Sequence, residues 1–363
     1  MLNKVVISGG GTGGHIFPAI AIAQELEKQN PGVQILFVGA KGRMEMEKVP
    51  QFGYQIVGLP IAGLQRKWDV KNLLLPFKIL WSLILAMRLI WQFKPDAVVG
   101  VGGYASGPTL WAAHALGRKI FIQEQNSFAG VTNKILSKKA TRIFTAYPNM
   151  ERFFPKDKIV QTGNPIRFVW DNNRYPKKAA LSHFGLQEGR KTILMVGGSL
   201  GARAMNQTME TNLETLLEWG VQVIWQTGKN YLPQSKWKNC DGLWVGPFIQ
   251  EMHQAYAAAD IIISRAGAMS VSELCWVAKP TVFVPSPYVA EDHQTHNAMA
   301  LVNDQAALII KEKELQEQWL RVLKQGVDGQ WDGLGMTDRM ALWARPNAGY
   351  NIVEQLKKDC DGK

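Results

Sequence analysis

The sequence predicts an α/β fold of two Rossmann-like, doubly wound parallel-sheet domains that face each other across a cleft. Three observations support this prediction. Short apolar runs typical of buried strands alternate with helical patterns almost from end to end. Glycine-rich turns follow three of these runs, at the strand ends where open parallel sheets bind ligands. The length of 363 residues suits two domains, each with its own core.

The predicted domains span residues 1–162 and 163–345, and residues 346–363 are expected to form a helix that packs back towards the first domain. The Gly and Pro of Gly163-Asn164-Pro165 interrupt regular structure at the boundary. A short hinge between two such domains leaves one deep cleft for a ligand. The predicted strands are Lys4–Ile7, Val33–Val38, Ala97–Val101, Ile120–Gln123, Arg142–Thr145, Thr192–Val196, Gln222–Thr227, Leu243–Val245, Ile261–Ser264 and Thr281–Val284.

The first glycine turn, residues 9–14, lies between a predicted strand and a predicted helix and is followed directly by His15. Glycines let the backbone approach an anion, and the N–H groups at a helix N-terminus bind it. The turn also fits the G-x-G-x-x-G pattern of nicotinamide dehydrogenases. That interpretation needs an acidic residue at the end of the second strand, where this chain has Gly39-Ala40-Lys41. A phosphate-binding turn is therefore favoured.

Two further glycine turns follow later strands, at Gly102-Gly103-Tyr104 and at Gly197-Gly198-Ser199. One such turn is weak evidence, because many α/β proteins use glycine for tight packing. Three turns at strand ends predict phosphate binding in more than one place. Gly102, Gly103 and Tyr104 are expected to form a loop for an acceptor or its phosphate.

The excess of positive over negative charge is confined to the first half of the chain. Residues 1–163 hold 20 Lys and Arg against 9 Asp and Glu, a balance of +11, whereas residues 164–363 hold 21 of each. A one-sided basic surface indicates an anionic partner, and the absence of a nucleic-acid-binding motif favours a membrane surface. Three cysteines without C-x-x-C spacing fit a reducing cytoplasm, and the direct start on a strand predicts no secretory signal.

Residues 67–94 predict a helix at the membrane surface. On a helical wheel, a stripe about 120° wide mixes cations with Trp and Leu, as interfacial helices do, and the remaining apolar arc is expected to face the core. The stripe contains Lys78, Trp81, Ser82, Leu85, Arg88, Leu89 and Gln92. The predicted membrane patch is Lys78, Trp81, Leu85 and Arg88. The longest uncharged stretch, 79–87, is too short for a transmembrane span. The alternative is a buried crossover helix with two cations that reach solvent.

In the second domain, small residues at 266–270 follow a predicted strand, and Glu273 stands in the first turn or so of the next helix. Its carboxylate suits a ribose diol, although a Glu there can equally complement the helix dipole. Amides and imidazoles crowd residues 291–298, as in a site that binds many hydroxyls. Asp292 and His293 are adjacent and cannot share a helix face, and no D-x-D pair is expected to chelate a metal–diphosphate. No metal site and no obligatory cofactor are expected, while stimulation by a divalent cation stays open.

These motifs together resemble the MurG family, the peptidoglycan N-acetylglucosaminyltransferases that convert lipid I to lipid II. The resemblance covers essentially the whole chain. It rests on Gly10–His15, Gly102–Tyr104, Glu124–Asn126, Gly163–Arg167, Gly197–Ser199, Ala266–Glu273 and His293-Gln294 with Asn297-Ala298. It implies the GT-B fold and a peripheral enzyme at the cytoplasmic face of the cell membrane. It also implies UDP-N-acetylglucosamine as donor and lipid I as acceptor, with other proteins of cell-wall synthesis or division as conceivable partners.

The resemblance also implies which residues bind substrates. In the first domain these are Thr12, Gly13, Gly14 and Asn126. In the second they are Arg167, Ser199, Ile249, Ala268, Met269, Ser270, Val271, Ser272, Glu273 and Gln294. Glu273 would bind the ribose hydroxyls, the backbone near Ile249 the uracil, and Gln294 the sugar. The chain departs from the family at Gln123, where His is more common, at Leu200 and at Met269-Ser270.

The reaction implied is inverting transfer of N-acetylglucosamine to the muramyl C4 hydroxyl of lipid I, which gives lipid II. It needs a base for the acceptor hydroxyl and stabilisation of the departing UDP. His15 is the predicted catalytic base, and the alternative is that it binds an acceptor phosphate. Three other functions stay open: a synthase of another glycolipid, a non-hydrolysing UDP-N-acetylglucosamine epimerase, and a basic binding module without catalysis.

Overall fold

The computed structural model describes residues 2–61, 75–166, 175–198, 200–237 and 240–361. The chain forms two compact units. Unit 1 comprises Met1–Arg167 and Arg345–Lys363, and unit 2 comprises Phe168–Ala344. The boundary segment 163–167 therefore belongs to unit 1, whereas the sequence analysis assigned it to the second domain.

Unit 1 contains a parallel sheet whose strand order reverses near its middle. Its strands are β1 (Lys4–Ser8), β2 (Gln34–Ala40), β3 (Gln55–Leu59), β4 (Ala97–Gly100), β5 (Lys119–Glu124), β6 (Arg142–Thr145) and β7 (Ile159–Gln161). They form seven strands in the order β3-β2-β1-β4-β5-β6-β7, every pair parallel. The order reverses between β1 and β4, and doubly wound sheets bind ligands beyond the carboxyl ends of strands at such a point.

Unit 2 repeats this plan. Its strands are β8 (Thr192–Val196), β9 (Gln222–Gln226), β10 (Leu243–Gly246), β11 (Ile261–Ser264), β12 (Thr281–Phe283) and β13 (Leu308–Ile309). They form a six-stranded parallel sheet in the order β10-β9-β8-β11-β12-β13. The order reverses between β8 and β11, so this unit also has one favoured ligand position. The predicted α/β class with two parallel sheets is confirmed.

Helices alternate with most of the strands. In the described residues they are α1 (Gly13–Gln29), α2 (Glu45–Lys48), α3 (Leu75–Phe93), α4 (Ser106–Ala115), α5 (Val131–Leu136), α6 (Lys177–His183), α7 (Arg203–Glu218), α8 (Met252–Ala258), α9 (Ala268–Val277), α10 (His293–Asn303), α11 (Leu315–Val327), α12 (Met336–Leu342) and α13 (Ala348–Asp361). Helix α1 starts directly after Thr12, and α9 directly after Gly267. Two of these helices therefore begin at the two sheet reversals.

The C-terminal helix α13 is part of the core of unit 1. Ile352, Val353 and Leu356 are fully buried in the same cluster as residues of β1 and α1. Arg142 Nε lies 3.2 Å from Asp359 Oδ2, which ties the helix to β6. The string Asp359-Cys360-Asp361 is the one D-x-D sequence of the chain, and its first carboxylate is engaged in this ion pair.

Tryptophans build much of the core of unit 2. Trp225 and Trp319 are 0 % exposed and Trp331 is 6 % exposed, in one cluster with β8 and α7. The segment 311–339, to which the sequence analysis gave no function, therefore supplies core packing through α11 and the turn after it.

The exposed face of α3 agrees with the predicted one only in part. Ser82, Ala86 and Ile90, spaced by four residues, are buried, and α3 packs against α4. The opposite arc carries Phe77, Leu80, Trp81, Ile84, Arg88 and Trp91, which we call the α3 face; its apolar members are 48–72 % exposed. Of the predicted membrane patch, Trp81 and Arg88 are exposed, whereas Lys78 and Leu85 are half-buried. Ser82, predicted to face outward, is buried, and part of the arc predicted to face the core is exposed. Small side chains at 82 and 86 let the helix approach its neighbour closely, which explains the rotation.

Candidate active site

The first part of the candidate site lies in unit 1 where the strand order reverses. The turn after β1 and the turn after β4 touch there, since a Cβ atom on Gly103 would lie 2.4 Å from the Gly10 carbonyl oxygen. Gly102 and Gly103 have φ of +94° and +87°, which side chains rarely adopt. Both positions therefore require glycine, and the first two predicted glycine turns form one site.

His15 in the first turn of α1 is held by these two turns. Its Nδ1 lies 3.1 Å from the Gly10 carbonyl oxygen and 3.3 Å from Thr12 Oγ1. Because a carbonyl oxygen only accepts, the contact with Gly10 requires a proton on Nδ1 and places the ring's lone pair on Nε2. A Cβ on Gly102 would lie 2.8 Å from His15 Nε2, so the ring rests against that backbone. This tautomer is the one that a base acting through Nε2 needs.

A buried carboxylate that the sequence analysis missed supports the first turn. Glu45, the first residue of α2, is 1 % exposed. Its Oε2 accepts from the Gly11 N–H at 2.8 Å, and its Oε1 accepts from the Ala40 N–H at 2.9 Å. Both oxygens serve the protein's own backbone, so this acid does not play the ribose-binding part of a dehydrogenase. No short motif reveals the contact, because 34 residues separate Glu45 from Gly11.

A second buried carboxylate positions Asn126 beyond β5. Glu124 Oε1 accepts from the backbone N–H of Asn126 at 3.0 Å and from its Nδ2 at 3.3 Å. Glu124 Oε2 accepts from the Gly130 N–H at 3.0 Å and from Asn133 Nδ2 at 2.9 Å. One acid therefore shapes the whole loop from Asn126 to α5, and it leaves Asn126 half-buried.

Gln123, where the family more often has His, links two motifs. Its Nε2 donates to Asn164 Oδ1 at 2.9 Å, and Asn164 Nδ2 donates to the Gln125 carbonyl at 3.0 Å. All three side chains are buried. Gln123 is therefore a structural residue that joins the end of β5 to the Gly163-Asn164-Pro165 segment.

The corresponding turn of unit 2 follows β8. It is packed as closely as the first, because a Cβ on Gly201 would lie 2.1 Å from the Thr227 carbonyl oxygen. Leu200, which differs from the family, is 61 % exposed in this turn, as Tyr104 is 49 % exposed in unit 1. Ser199 and Arg167 lie outside the described residues, so their predicted roles stay predictions.

Glu273 is the central carboxylate of unit 2. It is the sixth residue of α9 and lies in the second turn, so the alternative role of a first-turn cap is wrong. The buried Tyr256 of α8 points its hydroxyl at Glu273 Oε2, at 3.3 Å. Burial raises the pKa of Tyr256 well above its usual value, which keeps this hydroxyl protonated as a donor. Sequence patterns did not identify Tyr256.

The other predicted residues of α9 divide into two groups. Ala268 and Val271 are buried in the core, so only their main chain is available to a ligand. Met269, Ser270 and Ser272 are half-buried, and Ser272 Oγ donates to the Ala268 carbonyl at 3.0 Å. The side chain of Ile249 is 2 % exposed, which agrees with a contact made by its backbone rather than by its side chain.

Gln294 stands in the first turn of α10, next to the loop after β12. Its Oε1 accepts from the Ser286 N–H at 2.9 Å, so the side chain is oriented and its Nε2 is the end directed away from that bond. Asn297, one turn later and 0 % exposed, donates to the Ala266 carbonyl at 3.3 Å. These contacts hold α10 beside the start of α9. Over the described ranges, no group of three or more His, Cys, Asp and Glu is arranged to hold a metal ion.

Known proteins similar to this chain share its full length. Residues 5–145 match the glycosyltransferase family 28 N-terminal domain, and residues 192–328 match the glycosyltransferase family 28 C-terminal domain. The chain is 50 % identical over 356 residues, 98 % of its length and 97 % of the relative's, to a protein of Flavobacterium psychrophilum. It is 49 % identical to a protein of Parabacteroides distasonis, with 99 % of each chain covered. Both relatives are named UDP-N-acetylglucosamine–N-acetylmuramyl-(pentapeptide) pyrophosphoryl-undecaprenol N-acetylglucosamine transferase.

Solved structures agree with this assignment. The crystal structure of Acinetobacter baumannii MurG is 32 % identical, with a TM-score of 0.76 and coverage of 98 % of this chain and 99 % of the other. A UDP-N-acetylglucosamine 2-epimerase shares the fold at a TM-score of 0.62 but only 13 % identity, over 100 % of this chain and 98 % of the other. The two parallel-sheet units have the GT-B class of fold, and the chain belongs to glycosyltransferase family 28, within its MurG group.

Proposed function

We propose that this chain is an inverting hexosyltransferase that moves N-acetylglucosamine from UDP-N-acetylglucosamine to the C4 hydroxyl of the muramyl residue of lipid I, giving lipid II for peptidoglycan. The observation that carries the proposal is 50 % identity over 98 % of the chain to a transferase named for this reaction. The geometry supports it, because both sheet reversals carry glycine turns and polar side chains suited to a phosphorylated substrate.

The catalytic step assigned to unit 1 is removal of a proton by His15. Nε2 takes the proton of the acceptor hydroxyl while its oxygen forms a bond to the anomeric carbon of the donor. The bond from that carbon to the β-phosphate oxygen breaks, and UDP leaves with the electron pair. Thr12, Gly13 and Gly14 at the start of α1 present main-chain N–H groups for an acceptor phosphate. Tyr104 and Asn126 are further acceptor contacts in this proposal.

Donor binding is assigned to unit 2. The Glu273 carboxylate, held by the neutral Tyr256 hydroxyl, accepts from the two ribose hydroxyls. Gln294 uses its Nε2 for the sugar, since its Oε1 is engaged by Ser286. The backbone at Ile249 binds the uracil. The N-terminus of α9 and the turn after β8, with Arg167 and Ser199, stabilise the departing diphosphate. No obligatory metal enters this scheme, and turnover in the presence of a chelator tests that part.

Attachment to an anionic membrane surface is assigned to unit 1. The α3 face exposes Phe77 at 72 %, Trp91 at 66 % and Trp81 at 56 %, with the cation Arg88 among them. Trp111 on α4 and Val131 and Ile135 on α5 are exposed apolar neighbours, and Lys134, Lys138 and Lys139 are close to them in sequence. Aromatic rings and cations on one surface suit the boundary of a bilayer with anionic headgroups.

The α3 helix is also the one helix in the described part of the chain that is long and apolar enough to cross a membrane, by length and composition. It includes Lys78 and Arg88, and it packs on α4 along its buried residues. We therefore propose peripheral attachment at the cytoplasmic face, with the α3 face lying along the headgroup boundary.

The experiment that tests the reaction measures UDP release with a short-chain lipid I analogue. We expect one UDP for each disaccharide lipid formed and no UDP without acceptor. An epimerase instead converts UDP-N-acetylglucosamine alone, and a binding module releases no UDP with any acceptor. Equal turnover with an unrelated glycolipid acceptor would favour the synthase of another glycolipid.

A further inference from the structure

The Glu45 carboxylate and the His15 ring contact the same peptide group. Glu45 Oε2 accepts from the N–H of Gly11 at 2.8 Å. The carbonyl of that same peptide belongs to Gly10, and it lies 3.1 Å from His15 Nδ1. Every peptide bond in the described residues is trans, so the N–H and C=O of this unit point in opposite directions. The carboxylate and the imidazole therefore lie on opposite sides of one planar group.

The residues around Glu45 and the Gly10–Gly11 peptide are packed so closely that a side chain at three neighbouring glycines would collide with them. A Cβ on Gly10 would lie 2.1 Å from Glu45 Cδ, and a Cβ on Gly39 would lie 2.5 Å from Glu45 Cγ. A Cβ on Gly103 would strike the Gly10 carbonyl at 2.4 Å. Three glycines thus make space for the carboxylate and for the peptide that it holds. Glu45 is further fixed by the Ala40 N–H at the end of β2.

We propose that Glu45 is a positioning residue for His15, acting through the Gly10–Gly11 peptide; the inference rests on the proposed role of His15 as base. The carboxylate fixes the tilt of the peptide plane, and the Gly10 carbonyl then fixes the proton on Nδ1. Hydrogen bonds in series polarise one another, so the negative carboxylate strengthens the carbonyl as an acceptor.

The chemistry of the transfer explains the use of such a relay. When Nε2 takes the acceptor's proton, the ring becomes positive and its Nδ1–H becomes a stronger donor. The polarised Gly10 carbonyl then stabilises the new charge, while Glu45 neither gains nor loses a proton. No atom of Glu45 needs to touch a substrate, because its effect travels through one peptide.

A double-mutant cycle tests this coupling on the full-length protein with the short-chain lipid I analogue. Glu45→Gln keeps the size of the side chain but turns one accepting oxygen into an N–H donor that faces a backbone N–H. We expect kcat to fall about 10- to 100-fold, with KM for the donor unchanged. Glu47→Gln is the matched control, because Glu47 is exposed on the same short helix, and its kcat should equal that of the wild type.

In the His15→Ala background, Glu45→Gln should lower kcat by less than twofold, since the residue through which it acts is gone. A second readout is the tautomer of His15, followed by 15N NMR with histidine labelling and assigned with His15→Ala. The wild type should show the proton on Nδ1, and Glu45→Gln should move population to the Nε2–H form. If Glu45→Gln does not fold, Glu45→Asp, which is too short to bridge both N–H groups, replaces it in the cycle.

The outcomes separate the two claims. Losses that multiply in the double mutant, or an unchanged tautomer in Glu45→Gln, would overturn the positioning role while leaving His15 as base. A loss below tenfold in His15→Ala alone would instead overturn the proposed catalytic role of His15, and the relay with it.

Discussion

The two sheet reversals of this molecule use acidic residues in different ways. In unit 1, Glu45 and Glu124 are each 1 % exposed, and their bonds go to the protein's own backbone and amide groups. In unit 2, Glu273 is only half-buried, and a neutral tyrosine orients it. Buried acids of the first kind fix loops, whereas a half-buried acid of the second kind is suited to contact a ligand. The same fold thus uses acids to fix loops in one unit, and in the proposed function it uses an acid to bind the donor in the other.

The largest effect expected is on the unit 1 side of this comparison. His15→Ala should lower kcat by about 10²- to 10⁴-fold, the contribution of a positioned base. Donor affinity should stay near that of the wild type, because the residues proposed to bind the donor, except Arg167, belong to unit 2, whereas His15 is assigned to the acceptor. Steady-state turnover with the short-chain lipid I analogue measures the loss of kcat. A loss of less than tenfold would favour the alternative in which His15 binds an acceptor phosphate.

The corresponding change in unit 2 should affect binding. Glu273→Ala removes a charged acceptor from two ribose hydroxyls and should weaken UDP-N-acetylglucosamine binding by about 1.5–3 kcal/mol. Isothermal titration calorimetry gives the affinity directly. Glu210→Ala is a control, since Glu210 in the same unit accepts from Tyr231 and Gln234 and has no proposed role in donor binding. Unchanged affinity in Glu273→Ala would remove this residue from the donor site.

A third comparison sets the two sides of α3 against each other. Trp81→Ser, Ile84→Ser and Arg88→Ser together should weaken binding to anionic vesicles about tenfold or more, because a cation near the surface contributes about 1 kcal/mol and apolar area adds to it. The buried side, with Ser82, is untouched, so the fold should persist. Turnover of a short-chain acceptor should survive while that of the long-chain lipid falls.

Vesicle sedimentation at low and high salt measures this effect. Leu232→Ser, at a residue of unit 2 that is 92 % exposed, is the control for loss of a surface apolar side chain. Equal sedimentation of the triple variant and the wild type would show that the α3 face does not bind the membrane.

The smallest effect is expected from removal of the Tyr256 hydroxyl, which donates to the Glu273 carboxylate of unit 2. Tyr256→Phe keeps the buried ring and removes the hydroxyl that donates to Glu273. Donor binding should weaken by about 0.5–1.5 kcal/mol, the net contribution of one hydrogen bond. Tyr231→Phe, which removes a similar donor to Glu210, should leave donor affinity unchanged. Identical affinities for the two variants would show that Tyr256 has only a packing role.

The sequence predicted those parts of this fold that a pattern within one short segment determines. Continuous apolar runs identified β1, β2, β4, β5 and β6, and glycine patterns identified the turns after β1, β4 and β8. It missed β3, β7 and β13. β7 and β13 have only three and two residues, and all three strands are only partly buried along most of their length. Strands of this kind are defined by pairing with a neighbour, and pairing is not visible in a single segment.

Contacts between distant residues limited the prediction of the site. The interaction of Glu45 with Gly11 spans 34 residues and that of Tyr256 with Glu273 spans 17, and neither has a local pattern. The face of α3 was misplaced in part, for a different reason. Periodicity separates apolar from polar arcs, but an apolar arc at a membrane has the same pattern as one in a core. Only the burial of Ser82 and Ala86, on a helix that packs against α4, distinguishes them.

The division of roles between the units is tested most directly by single-turnover rates at saturating UDP-N-acetylglucosamine, with His15→Ala and Glu273→Ala compared on the same acceptor. Saturation restores a defect in donor binding but not a defect in the chemical step. We predict that Glu273→Ala approaches the wild-type rate as donor is raised, whereas His15→Ala stays about 10²- to 10⁴-fold slower. Recovery of His15→Ala at high donor, or a Glu273→Ala rate that stays low at saturation, would contradict this assignment.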